Sequence, residues 1–280
     1  MRIGAHVPTR GHGPIGAIES ARACGAEAVQ IFGSNPRAWA LPRIDRARCE
    51  AFRAAWSEAG LGPLFLHSSY MVNVASPSAE FRGRSRDLAT ATVALADEIG
   101  ADGVVVHSGA AGTTTPRAVA LGRAVDTFTA VASQARTTAV LIELMSGGRG
   151  TVASTLPEAR ELFDGCDDHP SLGLCLDTCH LFAAGYGLDA ADGVSETFAE
   201  LRALGLEDRL KLVHANDSKG PRGAHLDRHT HIGHGRIGED GFAAILAQPA
   251  VRHAAVVCET PGRLEDHARN VTALRRLADD

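Results

Sequence analysis

Lysine is almost missing from this chain. Lys211 and Lys219 are the only two, so 26 of the 28 basic residues are arginine. Against 33 acidic residues the formal net charge is −5, which excludes a surface coated in positive charge for nonspecific nucleic-acid binding. Arginine is nevertheless the better fork for phosphates, so composition leaves nucleic acid open. No apolar run approaches the roughly 18 residues of a membrane span. The opening MRIGAHVPTR has no charged-then-apolar leader, so export is not expected. The six cysteines (Cys24, Cys49, Cys166, Cys175, Cys179, Cys258) are scattered without a C-x-x-C pair. A chain of this size does without disulfide staples, so reduced thiols and a cytoplasmic location are expected. The sequons at Asn216 and Asn270 then carry little meaning.

What is present is ordinary globular composition, 45% hydrophobic and 22% charged over 280 residues, which excludes disorder, collagen and coiled coil. The length suits one α/β barrel, usually about 250 residues. Short apolar runs alternate eight times with segments of helical period. The runs predict strands at Ile3–Val7, Ala28–Phe32, Leu64–His67, Gly103–His107, Val140–Glu143, Gly173–Asp177, Leu210–His214 and Ala255–Glu259. Each is rich in Val, Ile and Leu, as parallel strands buried on both faces require. Helices are predicted at Ala17–Cys24, Ile44–Ala59, Ser78–Ile99, Pro116–Ala135, Leu156–Phe163, Val194–Leu204, Gly238–Leu246 and Leu264–Leu277. Ile44, Ala47, Ala51, Ala55 and Ala59 fall at helical spacing in the second. Eight β-α units without a composition break predict one (β/α)8 TIM barrel spanning 1–280. An open doubly wound sheet is the alternative architecture.

Active sites of such barrels lie where the strands end. Here the third strand ends in His67, the fourth in His107, the fifth in Glu143, the sixth in Asp177, the seventh in His214 and the eighth in Glu259. A core-packing explanation would need six ionisable residues at equivalent strand ends by accident. Three imidazoles and three carboxylates converging on one rim make a nitrogen/oxygen metal site. Crowded carboxylates otherwise repel and take up protons, and six ligands suit two metals better than one. Asp177-Thr-Cys-His180 and Asp227-Arg-His229 add His180, Asp227 and His229, which brings the set to nine, enough for three metals.

At this point the residues resemble a known family, the endonuclease IV type of metal-dependent apurinic/apyrimidinic (AP) endonucleases. Leu176-Asp-Thr-Cys-His-Leu-Phe-Ala-Ala-Gly-Tyr186 is similar to its signature around the sixth strand. His214-Ala-Asn-Asp-Ser-Lys219, with Asp227-Arg-His-Thr-His-Ile-Gly233 and Gly235-Arg-Ile-Gly238, is similar to its other two. His67-Ser-Ser-Tyr-Met-Val-Asn-Val-Ala-Ser-Pro77 resembles the family's HAPYLINLASP stretch. The resemblance implies that His67 and His107 hold one zinc, with Glu143 bridging it to a second completed by Asp177, His214 and Glu259. His180, Asp227 and His229 would hold a third. It implies three Zn2+ per chain, with Mn2+ an alternative at one site, and Glu143, Asp177 and Glu259 as the catalytic carboxylates. The implied substrate is double-stranded DNA with abasic sites or blocked 3′ ends, cleaved 5′ to the lesion by a monomer. Loops past the strands would bind it, with Arg37, Tyr70 and Met71 filling the gap in the base stack. Lys219 and Arg228, with Arg222 and Arg236, are the expected phosphate contacts.

Departures from the family pattern are specific. After Glu143 the family runs Asn-Thr-Ala-Gly, whereas this chain has Leu144-Met145-Ser146-Gly147. His107 is followed by Ser108-Gly109 rather than Pro-Gly, and His67 by Ser68-Ser69 rather than Ala-Pro. Gly11-His-Gly-Pro-Ile-Gly16 matches a dinucleotide-loop pattern, but Phe32-Gly33-Ser34 lacks the acidic residue that such a fold wants after its second strand. Cys175 is expected to be a small buried apolar residue. His6 is a candidate for the floor of the site, and His231 and His234 lie near the third-metal loop. Two other functions remain open. A one-metal sugar isomerase or epimerase would use only Glu143, Asp177, His214 and Glu259, and a catalytically dead lesion binder would use none for chemistry.

Overall fold

The computed structural model describes residues 1–9, 15–148 and 150–279. Eight parallel strands close into a barrel: β1 (Arg2–His6), β2 (Ala28–Phe32), β3 (Leu64–His67), β4 (Gly103–His107), β5 (Ala139–Glu143), β6 (Leu172–Asp177), β7 (Leu210–His214) and β10 (Ala255–Cys258). The order around the barrel is β1-β10-β7-β6-β5-β4-β3-β2. Helices α1 (Ile15–Cys24), α2 (Arg46–Glu58), α3 (Ala79–Ile99), α4 (Arg117–Ala132), α5 (Leu156–Gly165), α7 (Ala191–Ala203), α8 (Gly238–Leu246) and α10 (Leu264–Asp279) lie between or after the strands. The closed barrel replaces the open-sheet alternative. Most of the Gly11–Gly16 pattern, and His12 with it, lies outside the described residues.

Two shells of apolar side chains sandwich each strand. The larger packs strands against helices, with Phe52, Phe128, Phe163 and Phe242 fully buried in it. The smaller fills the barrel and consists of Ala28, Phe65, Val105, Leu141, Cys175, Leu212, Ala255 and Val257. Cys175 is therefore the small buried residue expected of it. Side chains two apart on a strand share a face. The next inward residues above this floor are Gln30, His67, His107, Glu143, Asp177, His214 and Glu259. The register pairs His107 with Glu143 and Asp177 with His214, and elsewhere staggers them by two residues, with His67 opposite Val105 and Glu143 opposite Cys175.

Local chemistry sets the element ends. Ser78 and Asp45 accept from the backbone N–H groups of Phe81 and Arg48, so α3 and α2 begin just after them. That start moves Ile44 out of α2, and the helix turns Cys49 and Phe52 to the core while Ala47 and Ala51 face solvent. The alanine spacing was the weaker pattern because an aromatic side chain buries far more apolar area. Glu259 falls one residue beyond β10 because its N–H donates to Asn216 Oδ1 at 2.7 Å instead of to the ladder.

Elements outside the alternating scheme lie on the rim and below it. Helix α6 (Thr178–Ala184) follows β6 at once, α9 (Pro249–His253) precedes β10, and β8 (Asp217–Ser218) pairs antiparallel with β9 (His229–Thr230). Asp217 fastens the chain beside this ribbon. It is fully buried, and its two oxygens accept from the N–H groups of Ser218, Gly235, Ile237 and Gly238. A side chain at Gly235 would strike the Asp217 carboxylate. The sequon residues Asn216 and Asn270 are buried in hydrogen-bond networks. All six cysteines are free and buried, and no helix among the described residues is long and apolar enough to cross a membrane.

Asp217→Ala strands four backbone donors in the interior. It should lower stability by about 3 kcal/mol or more, read as a fall in the denaturant midpoint. A midpoint within experimental error of the parent would show that the ribbon stands without Asp217.

Candidate metal centre

Nine side chains converge above the barrel floor as three groups, and in each the potential ligand atoms lie within 4.8 Å of one another. In the first, His67 Nε2 and His107 Nε2 each stand 3.2 Å from Glu143 Oε2. In the second, His214 Nδ1 lies 3.2 Å from Glu143 Oε1, 3.3 Å from Glu259 Oε2 and 3.9 Å from Asp177 Oδ2. Glu143 thus divides its oxygens between two groups. In the third, Asp227 faces His180 Nε2 at 3.3 Å and His229 Nε2 at 3.0 Å. His229 Nε2 is also 3.5 Å from Asp177 Oδ2, so the second and third groups adjoin.

The local folding explains how residues so close in sequence reach different groups. Asp177 ends β6 and caps α6, accepting from the His180 N–H at 3.0 Å with one oxygen and from Asn216 Nδ2 at 2.7 Å with the other. One turn of α6 then aims His180 at Asp227. The loop carrying Asp227 is tied to α6 by Gly223 and His225, whose N–H groups donate to the carbonyls of Phe182 and Ala183. His225 also rests on Gly147, where a φ of +88° and an imidazole nitrogen that would overlap any Cβ leave room for glycine alone.

Four carboxylates and five imidazoles in one mouth dominate the electrostatics. Burial pushes the Glu143 carboxyl up, but the imidazoles of His107 and His214 outweigh it and hold the group well below the usual range. Asp227 is likewise lowered by His180 and His229 against its burial. Burial pulls His180 down, yet Asp177, Asp227 and Glu143 hold it up to about 10. His229 is held up to about 9 against burial by Asp177 and Asp227. His229 Nε2 is buried without a hydrogen bond although two carboxylates lie within 3.5 Å. An unpaired buried nitrogen facing carboxylate oxygens is what a cation-binding donor set presents. Cys179 also nears Asp177 and His229, but burial pushes its thiol up to about 12, which makes it a poor ligand at neutral pH.

Supporting contacts involve residues the sequence did not single out. Asn216 grips Asp177 and the Glu259 main chain together. Gln30 is fully buried and touches Glu259 and His214. Its signal was there, a lone amide inside the apolar run AVQIF. His6 does line the floor, with Nδ1 3.2 Å from Glu259 Oε1. Leu144 is buried and meets the centre through its main chain, its carbonyl 2.9 Å from His180 Nδ1. The apolar side chain that replaces the family's amide is therefore not the group that orients His180. His231 is engaged by Asn270 rather than by the ligand groups.

The residues expected to meet DNA stand on the rim around these groups. Tyr70 is 58% exposed and Met71 37%. The Tyr70 ring stands edge-on to Phe32 and His67, at 5.2 and 5.8 Å between centroids. Arg37 is exposed on the loop after β2, and Ser69 ties that loop to the one bearing Tyr70. The Ser69 hydroxyl donates to the Pro36 carbonyl at 2.9 Å, and the Tyr70 N–H donates to the same oxygen at 3.0 Å. Lys219 and Arg228 are exposed across the mouth, as are Arg222 and Arg236, while Arg222 lies 3.7 Å from Asp189. Beside the centre a cavity of about 920 Å³ is lined by His6, Phe32, Asn35, Tyr70, Glu259 and Arg263, among others.

Comparison with known proteins agrees with this arrangement. Residues 18–278 match the family described as a xylose isomerase-like TIM barrel. The chain is 39% identical over 280 residues to a probable endonuclease 4 of Streptomyces avermitilis, covering 99% of this chain and 90% of that protein. It is similar to the crystal structure of endonuclease IV from Thermus thermophilus, with a TM-score of 0.88 and 33% identity over 100% of this chain and 99% of that one. A D-tagatose 3-epimerase-like protein shares the fold at a TM-score of 0.77 and 17% identity, over 100% of this chain and 97% of that one.

Without metal at neutral pH, His180 and His229 are imidazolium, and each must shed a proton to coordinate. Zinc uptake by the stripped protein at about pH 7.5 should therefore release about two protons from the third group. Because both pKa values are raised, affinity at this group should climb with pH, less steeply above about 9, and level off above about 10. Calorimetry in two buffers of different ionisation heat measures the release. Uptake with no proton release would remove these two imidazoles from the ligand set.

Proposed function

The chain belongs to the endonuclease 4 family of xylose isomerase-like TIM barrels, and from that membership and its three ligand groups we propose that it is a metal-dependent DNA-repair endonuclease. On this reading it hydrolyses the phosphodiester 5′ to an abasic site, leaving a 3′-hydroxyl and a 5′-deoxyribose phosphate, and it also clears blocked 3′ ends. It works in the cytoplasm as a monomer spanning the whole chain. The observation that carries the reading is the third group. His180, Asp227 and His229 converge within 3.3 Å contacts beside Asp177, and a one-metal sugar isomerase has no use for them.

The donor set suits three divalent zinc ions, with Mn2+ an alternative at one of them: His67, His107 and Glu143 for one, Glu143, Asp177, His214 and Glu259 for another, and His180, Asp227 and His229 for the last. Zinc bound there supplies Lewis acidity toward a phosphate and lowers the pKa of water to about 7. The protein's own part is placement. Glu143 couples two groups through its two oxygens, which would hold their metals side by side. Asp177 and Glu259 keep negative charge just above the apolar floor, and Asp177 fixes His180 through the first turn of α6. On this reading Tyr70, Met71 and Arg37 would fill the gap where a base is missing from the stack, a role their exposure on the rim and the contacts between their loops support. An abasic nucleotide has no base to unstack, so extruding it costs less than extruding a normal one. Lys219 and Arg228, both exposed, would meet the backbone phosphates on this reading.

The direct test is incubation with a duplex carrying one synthetic abasic site, before and after a zinc-reaching chelator. Incision 5′ to the lesion is expected, lost on stripping and restored by Zn2+. Fully metallated protein that leaves the duplex intact would overturn the reading. Glu143→Gln removes the charge shared by two groups and should abolish cleavage while the far-UV circular dichroism stays unchanged. Turnover at the parent rate would disprove the bridging role. Tyr70→Ala should weaken binding to abasic duplex by about tenfold or more with metal content intact, and unchanged affinity would return Tyr70 to its contacts with Phe32 and His67.

A further inference from the structure

Gln30 is the only amide of the barrel strands whose side chain enters the ligand layer, two positions above Ala28 of the floor. It is wholly buried. Its Nε2 lies 2.6 Å from Glu259 Oε1 and 3.0 Å from His6 Nδ1, and its Oε1 lies 2.9 Å from His214 Nε2. An amide has two N–H donors and one carbonyl acceptor, and here all three have partners.

Only one orientation satisfies them. Turning the amide over would press its carbonyl oxygen against the Glu259 carboxylate. With Nε2 on Glu259, one proton goes to that carboxylate and the other to the lone pair of His6 Nδ1. The amide oxygen can then accept only from a protonated His214 Nε2. His6 Nδ1 is also 3.2 Å from Glu259 Oε1, but the Gln30 contact to that oxygen is the shorter. Protonation at Nε2 leaves His214 Nδ1 to face Glu143 Oε1, Glu259 Oε2 and Asp177 Oδ2.

We propose that Gln30 is the positioning residue of the four-ligand group: it fixes the tautomer of His214 that presents Nδ1 and holds Glu259 in place. The inference rests on the metal reading of the centre. Glu259 lies beyond the end of β10, and the Gln30 contact is the shortest that its carboxylate makes. A hydrogen bond to the far nitrogen of a ligating histidine commonly changes metal affinity by about 10- to 100-fold.

The test compares the full chain with Gln30→Leu, which keeps the volume and removes the polar atoms, and Gln30→Glu, which keeps the shape and reverses the donor facing Glu259. Zinc retained after dialysis against graded chelator is measured beside long-range 15N–1H spectra of labelled histidine. Both variants should lose one of three zinc ions at chelator concentrations about 10- to 100-fold lower than the parent needs. In the zinc-loaded parent both His214 and His6 should carry the proton on Nε2, and in Gln30→Leu the signature assigned to His214 should be lost or mixed. If Gln30→Leu does not fold, Gln30→Glu alone decides. Parent-like zinc retention with an unchanged tautomer overturns the role, as does equal loss of all three ions. A parent that binds no zinc would overturn this role together with the metal reading it rests on, whereas a zinc-binding parent matched by both variants overturns this role alone.

Discussion

Everything at the mouth of this molecule depends on a geometric constraint, the two-residue alternation of parallel strands closed into a ring. Closure brings strand ends that are far apart in sequence into one small circle. Alternation then dictates that the residue two beyond each floor side chain points into it. Phe65, Val105, Leu141, Cys175, Leu212 and Val257 form the floor, and His67, His107, Glu143, Asp177, His214 and Glu259 stand above them. The apolar floor keeps water from beneath, so the ionisable layer works in a medium that strengthens every charge interaction.

That environment makes the centre expensive to leave unmatched. Four carboxylates can share such a space only with cations or protonated imidazoles between them. The shifts follow: Glu143, Asp227 and Glu259 pulled down, His180 and His229 held up. The three groups also differ in their surroundings. Glu143, Asp177 and His214 are wholly enclosed, whereas Asp227 sits half in solvent on a loop held by backbone contacts to α6. The first two groups are built from strands and the third from a helix turn and a loop, so the third is the one whose geometry depends on the rim staying folded.

Much of this was legible in the sequence because strand ends are marked twice, once by the end of an apolar run and once by an ionisable residue. The nine candidate ligands, read partly from strand ends and partly from resemblance to the endonuclease IV family, come together in space. The missed features lack that double mark. Gln30 ends no run, and Asn216 reads as a loop residue. Helix α6 spans only seven residues, too short for its period to stand out, and its start is fixed by Asp177 acting as a cap. The ribbon of β8 and β9 has two residues per strand and exists because Asp217 gathers backbone donors from a distant stretch. The alanine spacing in α2 misled because periodicity counts positions, whereas burial is decided by side-chain area.

The Ser69 clasp bears on how this surface can change. The hydroxyl that joins the loop after β2 to the loop after β3 stands where the family pattern has proline, a residue with no hydroxyl to donate. In this chain the hydroxyl therefore adds a second link to the one that the Tyr70 N–H makes to the same Pro36 carbonyl. A graft of the Arg37 loop from a proline-bearing relative would keep the backbone link and leave the Ser69 hydroxyl to find its acceptor in the new loop.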